Sequence, residues 1–342
     1  MIIALDAMGG DHAPSAIVEG AVEALNEYGD MEIVLVGDER AVADELRDKS
    51  FPPLRARIVH APEAIAMGEP PLSAIRKKKN SSIRRAVDLV KAGEADAVVS
   101  AGHSGAMMAL ALIVLGASAG VERPAIATIM PTFKKPFILI DAGANVDCSP
   151  LNLLQFALMG NAYAKHILGR PAPKVAILSI GEEEGKGNEL TKESFKLLQA
   201  ADLNFIGNVE GKDIFAGEAD VVVCDGFIGN IVLKTSEGLA EAVIKMLKQE
   251  IASLPTGRLG YLFIKSALKG FKKKTDYAEQ GGSPLLGING TCIIGHGRSA
   301  AKAIKNAIKV ADEFSRKKTH EIIRQEINRN TLPVKGNTLA AG

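Results

Sequence analysis

The 342-residue chain is 47% hydrophobic and 24% charged, the balance of a folded globular protein rather than a disordered one. A net charge of +1, with 4% aromatic residues and no tryptophan, gives neither the field nor the stacking groups of a nucleic-acid binder. Cys148, Cys224 and Cys292 lie far apart without CxxC spacing, which suits a reducing cytoplasm and argues against a disulfide scaffold or a thiolate metal site.

The chain opens with a strand candidate, Ile2 to Leu5, that meets Asp6 too soon and with too little basic flank to be a secretion signal. It continues through a helix (Ser15 to Glu27), strands at Glu32 to Val36 and Ala56 to His60, a helix (Arg84 to Ala92) and a strand (Ala97 to Val99). The Ser104 to Leu115 helix follows, in an uncharged stretch shorter than the roughly 20 residues of a membrane span. Next come strands at Ala125 to Met130 and Phe137 to Ile140, then alternating helices (Leu151 to Ile167, Lys192 to Ala200, Asn230 to Ile251, Ser299 to Phe314) and strands (Val175 to Ser179, Asn204 to Val209, Val221 to Cys224, Cys292 to Ile294). This alternation predicts a three-layer α/β/α domain with a mostly parallel sheet over residues 1–330, a helical excursion at about 253–277 and a flexible tail over 331–342.

Strand after strand ends in a Gly-containing polar turn: DAMGGDH at 6–12, SAGHSG at 100–105, DAGAN at 141–145, SIGEEEGKGN at 179–188, CDGFIGN at 224–230 and NGTCIIGHG at 289–297. Strand-end turns line the ligand crevice of an open α/β sheet, so the six predict one extended polar site. Turn geometry explains the glycines but not the accompanying Asp6, Asp11, His103, Asp141, Asn145, Lys186, Asp225 and Asn230.

Gly102-His103-Ser104-Gly105-Ala106 nearly matches the G-x-S-x-G nucleophile elbow, and a triad would require Asp141 with His166 or His296. Read instead as an anion cradle, the turn needs no partners, because backbone N–H groups converge at a helix N-terminus. The 181–185 turn has one residue too few for a P-loop, which leaves Lys186 either a phosphate-facing cation or a solvated lysine. Glu182, Glu183 and Glu184 have no histidine at ligand spacing, so no metal and no cofactor is expected.

Two basic stretches stand out. Arg76 to Lys79 precedes Asn80, Ser81 and Ser82, which read as the N-cap of the next helix, with Arg84 and Arg85 beyond. Between Arg258 and Tyr277, Lys265, Lys269 and Lys272 share one helical arc while Leu259, Phe263, Ala267 and Phe271 share another. Such a helix suits an anionic membrane surface or a subunit interface.

Taken together, DAMGGDHAP, PPLSAIRKKKNSS, SAGHSGAMM, DAGANVDC, GEEEGKGN, CDGFIGN and GGSPLLGINGTCIIGHGRS closely resemble the bacterial phosphate acyltransferase family over nearly the full chain. The resemblance implies an isocitrate/isopropylmalate dehydrogenase-like fold related to the phosphotransacetylases. It implies transfer of a long-chain acyl group from acyl carrier protein to inorganic phosphate, giving acyl phosphate for phospholipid synthesis. It further implies a cytoplasmic homodimer with peripheral contact to anionic membrane and to a downstream glycerol-3-phosphate acyltransferase. A desolvated, aimed phosphate is nucleophile enough to attack a thioester without a covalent serine intermediate. On that chemistry His103, Lys186, Asn230 and Asp141 are the catalytic candidates. Asp6, Gly9, Gly10, Arg76, Gly102, Ser104, Gly105, Asn145 and Gly226 are candidates for phosphate and thioester binding. Acyl carrier protein is acidic, so Lys77, Lys78, Arg84, Lys265, Lys269 and Lys272 are candidates for docking it or the membrane. A serine esterase or thioesterase using Ser104, and a non-catalytic phosphoryl-ligand module, are the rival readings.

Overall fold

The computed structural model describes residues 1–253, 264–266, 270 and 281–330. Lys265 is described and exposed. Lys269, Lys272, most of the expected excursion and the 331–342 tail lie outside the described residues.

Runs of β-branched and apolar residues form strands that, apart from the two outermost, are largely buried on both faces, as a sheet covered by two helical layers demands. Among the described residues the eleven strands are β1 (Ile2–Asp6), β2 (Glu32–Gly37), β3 (Ala56–His60), β4 (Ala97–Ser100), β5 (Ala125–Met130), β6 (Phe137–Ile140), β7 (Val175–Ser179), β8 (Phe205–Glu210), β9 (Val221–Val223), β10 (Ser283–Leu286) and β11 (Thr291–Ile294). They join in the order β3-β2-β1-β4-β11-β10-β5-β6-β9-β7-β8. Helices α1 (Ser15–Glu27), α2 (Glu39–Leu46), α3 (Pro71–Lys77), α4 (Ser82–Lys91), α5 (Ser104–Val114), α6 (Pro150–His166), α7 (Glu189–Ala200), α8 (Gly226–Ser253), α9 (Ala301–Arg316) and α10 (Thr319–Asn330) connect and cover them.

The mostly parallel α/β architecture is therefore present, and the ten predicted strands all form. β10 is the addition, and it reorganises the sheet. It pairs antiparallel with both β11 and β5, and β5 pairs antiparallel with β6. The block β3-β2-β1-β4-β11 thus runs opposite to the block β6-β9-β7-β8. As a result the strand-end turns at 6–12, 100–105 and 295–297 leave one edge of the sheet, and those at 141–145, 179–188 and 224–230 leave the other.

Helix ends follow local chemistry. Ser149 and Asn152 form a reciprocal capping box at α6, and Asn188 caps α7 through Thr191 N–H. Ser81 occupies the cap position of α4 as expected, but its side chain makes no cap hydrogen bond. Helix α8 starts four residues before the predicted Asn230, directly after β9 and its short turn. This early start matters because it seats Gly226 and Gly229 against the 141–145 turn.

Candidate active site

At the first sheet edge three turns are stitched together. Asp6 is buried, its Oδ2 accepts from Ser100 Oγ at 2.7 Å, and Ser100 Oγ accepts from Gly102 N–H at 3.0 Å. Gly9 must be glycine, since a Cβ there would stand 2.5 Å from Asp6 Oδ2 and 2.8 Å from Gly102 N. Gly10 packs on the carbonyls of Ala101 and Gly297, and Asp11 N–H donates to Gly297 O at 2.8 Å. His103 is the N-cap of α5, its Nδ1 accepting from Ala106 N–H at 3.4 Å. The N–H groups of Ser104 and Gly105 fall in the first turn of α5, where helical geometry gives them no intrahelical acceptor.

Burial raises the Asp6 carboxyl above its ordinary value of 3.8, while Ser100, Ser82 and Met8 N–H pull it back. The folded protein therefore holds this proton at pH values where the unfolded chain has released it, and Asp6 favours folding less as pH rises through that window. Measured by urea unfolding, the wild type is expected to gain stability relative to Asp6→Asn as pH falls from 7 towards 4. A difference independent of pH would refute the shift.

At the second edge Asp141 is fully buried and organises its own turn. Its carboxylate accepts from the N–H groups of Ile126, Gly143, Ala144 and Asn145 and from Asn145 Nδ2, at 2.7 to 3.1 Å. Asn145 gives its second amide proton to Pro124 O at 2.8 Å and takes Gly226 N–H at 2.7 Å. Both residues are thus spent within the protein, holding the turn to β5 and to the start of α8. Burial pushes the Asp141 carboxyl up, while Ala144 N–H and the other donors oppose it.

The two edges meet along α8. A Cβ on Gly143 would touch Asn230 Cβ at 3.4 Å, while Lys234, one turn further on, reaches His296. Four residues of helix rise about 6 Å, so one short segment faces both turn clusters. Here lies a cavity of about 1000 Å³. Five of the six polar turns contribute to it, through Asp11, Ser104, Gly143, Asn230 and His296; the 179–188 turn does not. Much of the lining is apolar, including Ile126, Ile129, Met130, Phe133, Phe215 and Val243. Ser104, Lys234, His296, Arg298 and Ser299 are among its polar members.

The remaining sequence candidates fall outside the lining. Lys186 is exposed in the β7–α7 turn, where Ser179 Oγ donates to its carbonyl. Arg76 and Lys77 are exposed on α3, whose Pro71 lies 3.2 Å from a Cβ placed on Gly105. Lys78 donates to Ala64 O and pairs with Glu69 at 2.5 Å, and Arg84 pairs with Asp88 at 3.0 Å. Gly226 packs against Asn145. Lys234, Glu237, Arg298 and Ser299 were not singled out by sequence; the only signal was the i,i+3 spacing of Lys234 and Glu237 and the GHGRS run.

A family model described as fatty acid synthesis protein matches residues 1–321. The chain is 60% identical over 326 residues to a protein of Thermodesulfovibrio yellowstonii named phosphate acyltransferase, covering 95% of this chain and 94% of that one. A phosphate acyltransferase of Geobacter sulfurreducens is 53% identical over 327 residues, covering 96% and 94%. In fold the chain is similar to a phosphotransacetylase from Streptococcus pyogenes, with a TM-score of 0.63 at 20% identity over 92% of this chain and 94% of that one.

Proposed function

This chain belongs to the phosphate acyltransferase family and is an acyltransferase, and from that premise we propose that it moves a long-chain acyl group from acyl carrier protein to inorganic phosphate. Acyl phosphate is the product, formed when bound phosphate attacks the thioester carbonyl directly. The observation that carries this reading is the mixed lining of the cavity: apolar side chains suited to an alkyl chain share it with Ser104 at the start of α5, Lys234 and Arg298. Its volume of about 1000 Å³ sits at the upper end of ordinary ligand pockets, as a fatty acyl chain requires.

Phosphate is assigned to the α5 N-terminus, with Ser104 and Gly105 N–H donating and Arg298 closing the opposite side. Asn230 reaches the thioester side of the same space. His103 preserves the cradle by capping Ala106, and Asp6 and Asp141 hold the two turns in place. No step is routed through Lys186. Acyl carrier protein docks on the exposed cations Arg76 and Lys77, next to the α5 N-terminus. The apolar residues that α8 exposes outside the cavity lining, Met246 and Leu247, are the surface for the second copy of a homodimer and for peripheral membrane contact. No helix among the described residues is long and apolar enough to cross a membrane.

The engagement of the candidate histidines speaks against the serine-hydrolase rival. His103 Nδ1 is engaged with Ala106, His296 faces Arg298 N–H and Lys234, His166 stands 3.7 Å from Glu326, and Asp141 is spent on backbone donors. The deciding assay supplies acyl carrier protein thioester with and without phosphate and follows free thiol. Release that requires phosphate is expected. Equal release without it would make the protein a hydrolase, and no release would make it a binding module.

A further inference from the structure

We propose that Lys234 is the catalytic acid that protonates the departing sulfur, with His296 and Glu237 as the residues that position it. The inference rests on the acyl-to-phosphate reading above. It comes from how Lys234, His296 and Arg298 meet in the lining of the cavity. His296 Nδ1 accepts from Arg298 N–H at 3.1 Å, so the neutral ring carries its proton on Nε2. That Nε2 lies 3.1 Å from Lys234 Nζ. An ammonium facing a ring N–H is one proton too many for a hydrogen bond. Once Lys234 has given a proton away, its lone pair accepts from Nε2–H, so the conjugate base is received by a partner already in place. Glu237 Oε2, 2.8 Å from the same Nζ, fixes the side chain before and after the transfer.

The ring is suited to stay neutral: burial, then the Lys234 ammonium, push His296 below its ordinary value of 6.5. Among the described residues, the charged groups facing it are Lys234 and Glu237 from α8, Arg298 from its own turn and Asp11 from the β1–α1 turn; Glu241 on α8 lies 3.8 Å from Arg298. Lys234, His296 and Glu237 all line the cavity.

The step balances. Monohydrogen phosphate forms the new C–O bond, the C–S bond breaks with its electron pair going to sulfur, and the Lys234 proton joins that sulfur. The acyl phosphate so formed is a stronger acid than the phosphate that attacked, and its proton restores the lysine. A thiol has a pKa of only about 8.5, so the contribution falls at the lower end of the roughly 10² to 10⁴ typical of general acids.

The test measures phosphate-dependent thiol release by wild type and Lys234→Arg with two long-chain thioesters: acyl carrier protein thioester, and an aryl thioester whose thiolate leaves without protonation. Arginine keeps the charge but does not release a proton. Expected is a kcat about 100-fold lower with the carrier thioester, a KM for phosphate within about threefold of wild type, and a deficit under about fivefold with the aryl thioester. Glu237→Gln removes the carboxylate that holds Nζ at 2.8 Å, so its kcat should fall more with the carrier thioester than with the aryl thioester. An equal deficit of either variant with both thioesters, or a loss confined to the KM for phosphate, overturns the assignment. If the wild type itself shows no phosphate-dependent release, the acyltransfer reading fails and takes this inference with it. If only the variant comparison fails, that reading stands.

Discussion

Asp141→Ala is expected to destabilise the fold by about 3 to 5 kcal/mol, the cost of leaving several buried amide donors without their acceptor. The carboxylate is fully buried and is the acceptor for four backbone N–H groups and the Asn145 amide. Alanine removes the acceptor that all of these share. Asp141→Asn keeps one acceptor oxygen but turns an NH2 towards other donors, so it should lose about half as much. Both are read from urea unfolding midpoints, with the slope confirming that one transition persists. A loss under about 1 kcal/mol for alanine would mean that the turn does not depend on this carboxylate.

That expectation differs from what the residue type suggests in isolation. An aspartate at the end of a strand, followed by Gly-Ala-Asn, has the composition of a catalytic loop, and nothing in the letters DAGAN distinguishes a carboxylate aimed at substrate from one closing its own turn. Five donors within 3.1 Å make the distinction, and one of them, Ile126 N–H, belongs to a strand distant in sequence. The strands themselves were legible because β-branched and apolar runs read the same wherever they lie in the sheet. β10 was not, since Ser283, Pro284 and the flanking Gly281, Gly282 and Gly287 look like a loop. Its omission carried a large consequence, because one antiparallel strand between two blocks decides which turns share an edge. Lys186 was attractive for its neighbours in GEEEGKGN, yet its turn is the one that stays outside the cavity. Lys234 was invisible for the opposite reason: mid-helix lysines are ordinary, and only the approach of α8 to His296 gives this one a task.

The same approach explains why α8 carries two glycines in its first turn despite the cost of glycine in helices. Gly229→Ala is expected to cost about 3 kcal/mol and to lower kcat/KM at least about 100-fold, since a displacement near 1 Å is enough to misalign reacting groups. Its Cβ would fall well inside contact with Asp141 O, 2.9 Å from the Asp141 carbonyl carbon and 3.1 Å from Cys224 Sγ. None of these atoms is the loose end of a flexible side chain. Two are backbone of the turn that Asp141 holds rigid, so the helix must move instead, taking Asn230 and Lys234 with it. Gly238 supplies the control in the same helix, for a Cβ there meets nothing within 4 Å. Gly238→Ala should stabilise the protein by up to about 1 kcal/mol and leave the kinetics unchanged. Melting temperatures and kcat/KM for the pair separate helix propensity from helix position. If Gly229→Ala matches Gly238→Ala in both, the contact between α8 and the Asp141 turn does not set the geometry of the cavity.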